Sequence, residues 1–147
     1  MDLDSIQRRI FRVHQSLYLR TDGRIGHRLI GVPTLLLRTT GRRTGAERVS
    51  TLVYGRDGDA FVVVGSNGGA EREPAWLLNV REDPRVSIQV ARRRMDATAR
   101  VVDAGDPMYG RLWALVDRVN HDRYTAYQAR TDRPIALVAL TPEQPPD

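Results

Sequence analysis

A chain of 147 residues is long enough for one domain with a single hydrophobic core, and this one contains no cysteine. Disulfides, thiolate metal sites and a cysteine nucleophile are therefore excluded. All 23 basic residues are arginine and the formal net charge is +5. This charge fits an anionic partner, either nucleic acid, anionic lipid or a polyanionic small molecule, and a solvated basic surface without a partner is the equally open interpretation.

The N-terminal segment predicts an amphipathic helix over residues 4–19 and a loop over residues 21–31. Apolar side chains recur there at helical spacing, at Ile6, Ile10, Val13 and Leu17. One interpretation packs this stripe on the body of the domain, and the other places a basic amphipathic helix on a membrane surface. No stretch approaches transmembrane length, and arginines interrupt any signal-peptide core. We therefore expect a cytoplasmic protein, with peripheral contact at the inner membrane face as the second interpretation.

Three strands are predicted next, at residues 32–39, 48–55 and 60–65, where the sequence is apolar. Between the second and the third, Arg56-Asp57-Gly58-Asp59 is typical of a tight hairpin turn. Glycine-containing sequences follow the first and the third of these strands. Each is expected to form a loop at a strand end, where a scaffold holds it still.

A short helix is predicted over residues 74–81, because proline, here Pro74, is favoured at the first helical position. Strands at residues 86–91 and 95–102 then flank a turn that contains three arginines, Arg92, Arg93 and Arg94. This arrangement predicts a second antiparallel hairpin.

The C-terminal part predicts one more helix and one more strand. Asp106 caps the helix, with Pro107 at its first position, and the helix runs to about residue 119. Residues 120–130 are polar and aromatic and receive no element. A last strand spans residues 135–141, and residues 143–147 form a loose tail.

These elements predict an α+β fold in a single domain over residues 1–147. It has about six mostly antiparallel strands, the N-terminal helix and two further helices. Helices and strands alternate too sparsely for a doubly wound sheet. No G-x-G-x-x-G motif follows a strand, which disfavours a nicotinamide-binding fold.

The first loop has the chemistry of an anion-binding site. In Gly41-Arg42-Arg43-Thr44-Gly45 the glycines permit backbone angles that expose N–H groups. The arginines, with Arg48 further on, supply fork-shaped donors for phosphate or carboxylate. Hydroxyls are added by Thr44, Ser50 and Thr51. An ordinary β-turn with solvated arginines is the plainer interpretation of this loop alone.

The second loop, Gly65-Ser66-Asn67-Gly68-Gly69, offers small side chains and free amides, and Trp76 follows it in the short helix. Alone, this sequence also fits an ordinary surface loop. The two loops in this order, each after a strand and with Trp76 behind the second, favour one anionic ligand held between them.

The chain resembles the deazaflavin-dependent nitroreductase and quinone reductase family from about residue 32 to residue 142. The motifs that carry the resemblance are Leu35 to Gly45, Arg48, Leu52-Val53-Tyr54, Arg56 to Asp59, Ser66 to Ala70, Pro74-Ala75-Trp76, Asn79, Asp83-Pro84, Tyr124 to Gln128 and Thr131 to Ile135. The resemblance implies a small split β-barrel and the cofactor coenzyme F420, an 8-hydroxy-5-deazaflavin with a phosphate and a polyglutamate tail. It also implies hydride transfer to a quinone, a nitro compound or another activated acceptor such as an electron-poor alkene.

The resemblance further implies which residues bind the cofactor. Its tail and phosphate lie against Arg42, Arg43, Thr44 and Arg48. Its ring edge lies along Val49, Ser50, Thr51, Leu52 and Val53. The ring pocket is formed by Val64, Gly65, Ser66, Asn67, Ala75, Trp76, Leu77, Leu78, Asn79 and Tyr124. Asn67 departs from family members that have a basic residue at that position, which removes one ionic contact.

Three hydroxyls are the candidate catalytic groups. Tyr124 and Tyr127 lie in the segment where the family places acceptor-side tyrosines, and Ser66 lies on the cofactor side. Any of them can donate a hydrogen bond or a proton to the oxygen that gains charge when hydride arrives. His121 occupies a position where some members have tyrosine. No metal ligand set is present, and barrel packing is the plainer interpretation of both tyrosines.

Two other interpretations stay open. A flavin mononucleotide enzyme on a similar barrel would use the same arginines and hydroxyls for its phosphate. A non-enzymatic basic module would bind a membrane surface or nucleic acid, although only 6% of residues are aromatic and no nucleic-acid-binding motif is present. We therefore expect no nucleic acid partner. The sequence leaves monomer and homodimer equally open.

Overall fold

The computed structural model describes residues 28–29 and 32–143. Its strands are β1 (Arg28–Leu29), β2 (Val32–Thr40), β3 (Glu47–Val53), β4 (Gly55–Asp57), β5 (Ala60–Val64), β6 (Arg85–Val90), β7 (Arg93–Val102) and β8 (Leu137–Pro142). Its helices are α1 (Ala75–Glu82), α2 (Tyr109–Val119) and α3 (Arg123–Gln128), with a 3-10 turn at Asn67–Gly69. The helix predicted over residues 4–19 and the tail after residue 143 lie outside these ranges. Within them, no helix combines the length and the apolar character needed to cross a membrane.

All strand pairs are antiparallel, and the sheet is curled into a barrel. The strand order is β1-β2-β6-β7-β8-β5-β4, and β3 pairs with the other edge of β2. Strands β3 and β4 thus lie at opposite ends of the sheet, yet Tyr54 alone separates them in the chain. The sheet must therefore bend until these two ends meet. The ring of Tyr54 packs edge-on against Phe61 at 5.2 Å between centroids, beside this junction.

The barrel has two apolar layers, because successive strand residues face opposite sides of a sheet. One layer fills the interior and includes Leu35, Leu37, Val63 and Trp76. The other lies outside, where α2 and α3 cover β5 and β8, and it consists of Val62, Val64, Val102, Leu112, Val116, Tyr124, Ile135 and Leu137. The α+β class and the antiparallel barrel predicted from the sequence are confirmed.

The strand predicted over residues 48–55 is wrong at its C-terminal end. β3 ends at Val53, and a separate strand β4 begins at Gly55. The predicted turn exists, at Gly58 with φ 59°, but it joins β4 to β5. Because the apolar pattern continues through Tyr54, it does not show where the chain stops pairing with β2 and begins to pair with β5. The count is eight strands, including short β1 and β4, instead of about six.

Three predicted boundaries also need correction. The arginine turn is shorter than predicted, because Val90 pairs with Arg93 and Arg93 already belongs to β7. Helix α2 starts at Tyr109. Before it, the Asp106 carboxylate accepts the Met108 amide at 2.9 Å and binds the Arg100 guanidinium at 2.7 Å. These bonds hold the preceding residues in a turn. Pro74 is the N-cap of α1 and not its first helical residue.

Helix α3 was missed in the sequence because its cap comes from another element. Asp117, in α2 and 8% exposed, accepts hydrogen bonds from the backbone amides of Tyr124 and Thr125 at 3.1 and 3.2 Å. Its second oxygen accepts the Thr125 hydroxyl at 2.5 Å. A capping side chain normally precedes its own helix, so the local sequence gave no signal for this one.

We expect Asp117→Ala to lower the free energy of unfolding by about 1–2 kcal/mol, the usual effect of losing a helix cap. Urea unfolding followed by circular dichroism measures it. Asp132→Ala removes an exposed carboxylate close to the same region and serves as the control, with an expected change within about 0.5 kcal/mol. Equal stability of the two variants would contradict the capping role.

Candidate functional site

The first loop is a tight turn between β2 and β3. The Gly41 amide donates to the Ala46 carbonyl at 2.7 Å, and the Gly45 amide donates to the Gly41 carbonyl at 2.8 Å. Gly45 has φ 74°, and a Cβ at Gly41 would lie 2.9 Å from the Ala46 carbonyl oxygen. Both glycines are therefore required by the backbone, and the turn is fixed before any ligand binds.

Several hydrogen-bond donors of the first loop have no acceptor within the described residues. The amides of Gly41, Arg42, Gly45 and Ala46 have acceptors, whereas in residues 28–29 and 32–143 no acceptor meets the amides of Arg43 and Thr44. The side chains of Arg43 and Arg48 are exposed and have no carboxylate partner in the same ranges. Unpaired guanidinium groups and adjacent free amides on one rigid turn are the donor set that an anion requires.

Asn79 ties the first loop to helix α1. Its side chain is 3% exposed. Its Oδ1 accepts both the backbone amide and the guanidinium of Arg42, each at 3.2 Å, and its Nδ2 donates to the Thr39 hydroxyl at 3.2 Å. One buried amide side chain therefore connects the first loop to α1, the helix that follows the second loop.

The second loop is packed closely against its surroundings. The Gly65 amide donates to the Ala136 carbonyl at 2.8 Å, and a Cβ at Gly65 would lie 2.6 Å from the Leu77 side chain. Gly69 has φ 83°, and a Cβ there would lie 2.5 Å from the carbonyl oxygen of Tyr127 in α3. Strand β8 and helices α1 and α3 thus fix both ends of the loop.

Asn67 stabilises the loop from within. Its Nδ2 donates to the Arg72 carbonyl at 3.1 Å, and its own backbone has φ 45°. Asparagine tolerates this left-handed conformation better than most residues. The side chain of Asn67 therefore closes its own loop.

Sequence reasoning assigned no role to the residues that anchor this loop from the C-terminal side. Arg133 donates three hydrogen bonds to loop carbonyls: to Ala70 and Ser66 at 2.8 Å each, and to Gly65 at 3.2 Å. The side chain of Gln128 holds the backbone around it, through the carbonyl of Arg133 and the amide of Ile135. The likeness of residues 131–135 to the family motif was the only signal in the sequence, and it does not indicate which groups Arg133 contacts.

The predicted ring-binding residues divide into buried and accessible groups. Trp76 and Leu77 belong to the interior layer and are 7% and 0% exposed, so they form the floor of the site. Val64 and Gly65 are also buried. Accessible surface comes from the half-buried residues Val49, Ser50, Thr51, Leu52, Val53, Ser66 and Leu78 and from the exposed Ala75 and Thr44.

The three candidate catalytic hydroxyls differ in access. Tyr124 is 5% exposed, packs in the outer apolar layer, and has its hydroxyl bonded to Asn120. Burial raises the pKa of this hydroxyl above its ordinary value. Tyr127 is half-buried, with its ring 6.2 Å from that of Tyr124 and 5.6 Å from the Arg130 guanidinium. Ser66 is half-buried within the second loop. His121 is exposed, with φ 57° just after α2.

Fold and site together define the class: a small split-barrel protein with a rigid, arginine-bearing loop after β2 and a second glycine loop after β5. The family model for F420H(2)-dependent quinone reductase matches residues 10–142. The chain belongs to this family of coenzyme F420-dependent enzymes.

Individual relatives and solved structures are similar to this chain over most of its length. An F420H(2)-dependent quinone reductase of Mycobacterium tuberculosis (strain ATCC 25618 / H37Rv) is 48% identical over 133 residues, covering 90% of this chain and 89% of that protein. A solved structure of an F420-H2 dependent reductase, FDR-A, has a TM-score of 0.66 and 30% identity, covering 74% of this chain and 93% of that one. A structure described as a domain-swapped dimer has a TM-score of 0.68 and 27% identity, covering 90% and 98%.

We expect Asn79→Ala to lower the free energy of unfolding by about 1–3 kcal/mol, because it leaves buried groups unpaired. It should also speed amide hydrogen exchange in residues 41–46, measured by mass spectrometry. Asn79→Asp keeps an acceptor for Arg42 and is the matched control, with a smaller effect on exchange. Unchanged exchange of the first loop in Asn79→Ala would contradict the role of Asn79 in fixing that loop on α1.

The buried hydroxyl of Tyr124 makes stability sensitive to alkaline pH. The native state holds this proton more tightly than the unfolded state does. Its contribution is therefore complete below the unfolded pKa of about 10 and is lost as pH rises toward the higher native pKa. We expect Tyr124→Phe to reduce the loss of stability above pH 10 by up to about 1.4 kcal/mol per pH unit. Urea unfolding at pH 9 and pH 11 measures it.

Tyr127→Phe is the control for this measurement, since it removes a hydroxyl from the neighbouring ring and leaves that of Tyr124 in place. The wild type and Tyr127→Phe should lose stability in parallel between the two pH values. A Tyr124→Phe variant that follows the same course would show that the Tyr124 proton is not linked to folding.

Proposed function

We propose that this chain binds F420H2, the reduced form of coenzyme F420, and transfers a hydride from it to a quinone. Family membership supports the reaction class. The observation that supports the assignment of the site is the set of hydrogen bonds by which Asn79 fixes the first loop on α1. Arg43 and Arg48 lie nearby in the chain, and their guanidinium groups have no partner in the part of the chain that the structure describes.

The residues of the first loop fit the coenzyme chemically. Its phosphate and glutamate carboxylates are anions, and Arg42, Arg43, Arg48 and the hydroxyl of Thr44 are donors. Arginine binds both kinds of anion through two parallel hydrogen bonds. Since Arg42 already donates to Asn79, we assign it to fixing the loop and assign the main ionic contacts to Arg43 and Arg48.

The ring would lie between β3 and α1. The half-buried stretch from Val49 to Val53 supplies one wall, and Ala75 and Leu78 supply accessible surface on the helix side. Trp76 and Leu77 stiffen this helix from the interior. A rigid apolar wall suits a flat ring, and a fixed position is what a hydride transfer needs, because the reacting atoms must be held about 3–3.5 Å apart.

The bound coenzyme supplies the hydride, and the residues of the chain orient the reactants and handle the proton. An acceptor oxygen that gains negative charge needs a hydrogen-bond donor. Ser66 and Tyr127 are half-buried beside the second loop, so we propose these hydroxyls as donors. Tyr124 is also a candidate, and its raised pKa keeps it protonated at neutral pH. Its burial and its bond to Asn120 favour an indirect role, in which it orients Tyr127.

We expect Arg43→Ala and Arg48→Ala each to weaken F420 binding by about tenfold or more, which corresponds to about 1.4 kcal/mol for one ionic contact. Turnover of menadione at saturating coenzyme should change much less, because these residues hold the tail and not the reacting ring. Titration of the oxidised coenzyme, followed by its absorbance, gives Kd, and steady-state kinetics gives kcat.

Arg93→Ala is the matched control, because it removes one exposed arginine from the β6–β7 hairpin and leaves the first loop intact. Its Kd should equal that of the wild type and rise with added salt to the same extent, whereas the higher Kd of the loop variants should depend less steeply on salt. If wild-type protein fails to bind F420, the proposed function is wrong. If both loop variants bind like the wild type, the assignment of the ionic contacts is wrong.

The class of hydride acceptor and the oligomeric state can each be measured directly. Quinone is the acceptor that the family name supports, and a nitroaromatic run beside menadione tests the second acceptor class. We favour a homodimer, since a structure that this chain matches over 90% of its length is described as a domain-swapped dimer. A monomeric mass by light scattering would exclude that assembly at the concentration used.

A further inference from the structure

Arg133 makes more hydrogen bonds to the second loop than any other side chain in residues 28–29 and 32–143. It follows α3 in the chain and lies 63 to 68 positions from the carbonyls that it contacts. Nε donates to Ala70 at 2.8 Å, one terminal nitrogen to Ser66 at 2.8 Å and the other to Gly65 at 3.2 Å. One planar group therefore joins both ends of the loop.

The guanidinium of Arg133 is committed to these carbonyls. In the described part of the chain no carboxylate lies within ion-pair distance of it. Its charge therefore strengthens three hydrogen bonds to neutral acceptors, since bonds from an ionised donor are stronger than neutral ones. A lysine ammonium is a single point of charge and cannot reproduce the spacing of the three donors.

The backbone of Arg133 is itself held in place. Gln128, in α3, donates through Nε2 to the carbonyls of Arg133 at 2.8 Å and Thr131 at 3.2 Å, and its Oε1 accepts the Ile135 amide at 2.9 Å. The chain that carries the guanidinium is thus fixed on both sides. A support of this kind transmits the rigidity of α3 and β8 to the second loop.

We propose that Arg133 is a positioning residue for hydride transfer, which fixes Ser66 and the backbone from Gly65 to Ala70 beside the reacting centre. This inference rests on the proposed function, because it gives the loop a catalytic purpose. Glycine-rich segments have high conformational freedom, and Gly68 has open space around its Cα. Without the three bonds this loop samples other conformations, and the near-contact geometry of the reactants is lost.

The test uses Arg133→Gln and Arg133→Lys in the full-length chain. In the protein without coenzyme, hydrogen exchange of residues 65–70 should be faster in Arg133→Gln than in the wild type. With coenzyme, kcat for menadione should fall at least about tenfold, because small displacements of positioning groups reduce rates by large factors. The Kd for F420 and the KM for menadione should stay within about threefold, since the arginines of the first loop are intact.

Arg133→Lys should recover part of both the protection and kcat. Arg72→Gln removes an exposed arginine from the same loop and is the control for charge alone, with wild-type exchange and kcat expected.

Unchanged exchange and kcat in Arg133→Gln would overturn the proposal. So would a uniform rise in exchange over the whole barrel with Kd, KM and kcat all impaired, since that result indicates a merely structural residue. If the wild type fails to bind F420, the proposed function is wrong. In that case hydrogen exchange of residues 65–70 in the coenzyme-free variants still shows whether Arg133 fixes the loop.

Discussion

The buried side chain of Asn79 is the interaction on which the geometry of the site depends. It satisfies Arg42 on one side and the hydroxyl of Thr39 on the other, in a place where an unpaired polar group would be costly. Because Asn79 lies on α1, this one residue sets the position of the first loop relative to that helix. Arg43 and Arg48 are exposed and have no partner within the described residues, and the first loop keeps its position through Asn79.

Barrel closure supplies the rest of the site. Strand β3 pairs with β2 throughout its length, then passes through Tyr54 directly into β4 on the opposite end of the sheet. The first loop, the wall from Val49 to Val53 and the closure of the barrel therefore lie on one continuous segment. The second loop begins where β5 ends, and it is anchored to β8 and α3.

The two apolar layers explain why the candidate residues are unequal. Side chains on one face of β5 enter the interior, where Trp76 and Leu77 of α1 also pack. These two residues therefore support the helix from within and offer little free surface. Side chains on the other face are covered by α2 and α3, and Tyr124 is part of that cover. Ser66 and Tyr127 are half-buried and so keep some accessible surface.

The sequence by itself determined the α+β class, most strands, the two glycine loops at strand ends and the family, because these depend on local periodicity, on glycine chemistry and on contiguous motifs. Tertiary structure decided the division at Tyr54, since an apolar pattern does not reveal a change of partner strand. It also decided helix α3 and the roles of Asp117, Asn79 and Arg133. Each of these side chains acts on backbone or side-chain groups that lie seven or more residues away, and such pairings become visible only when the chain has folded.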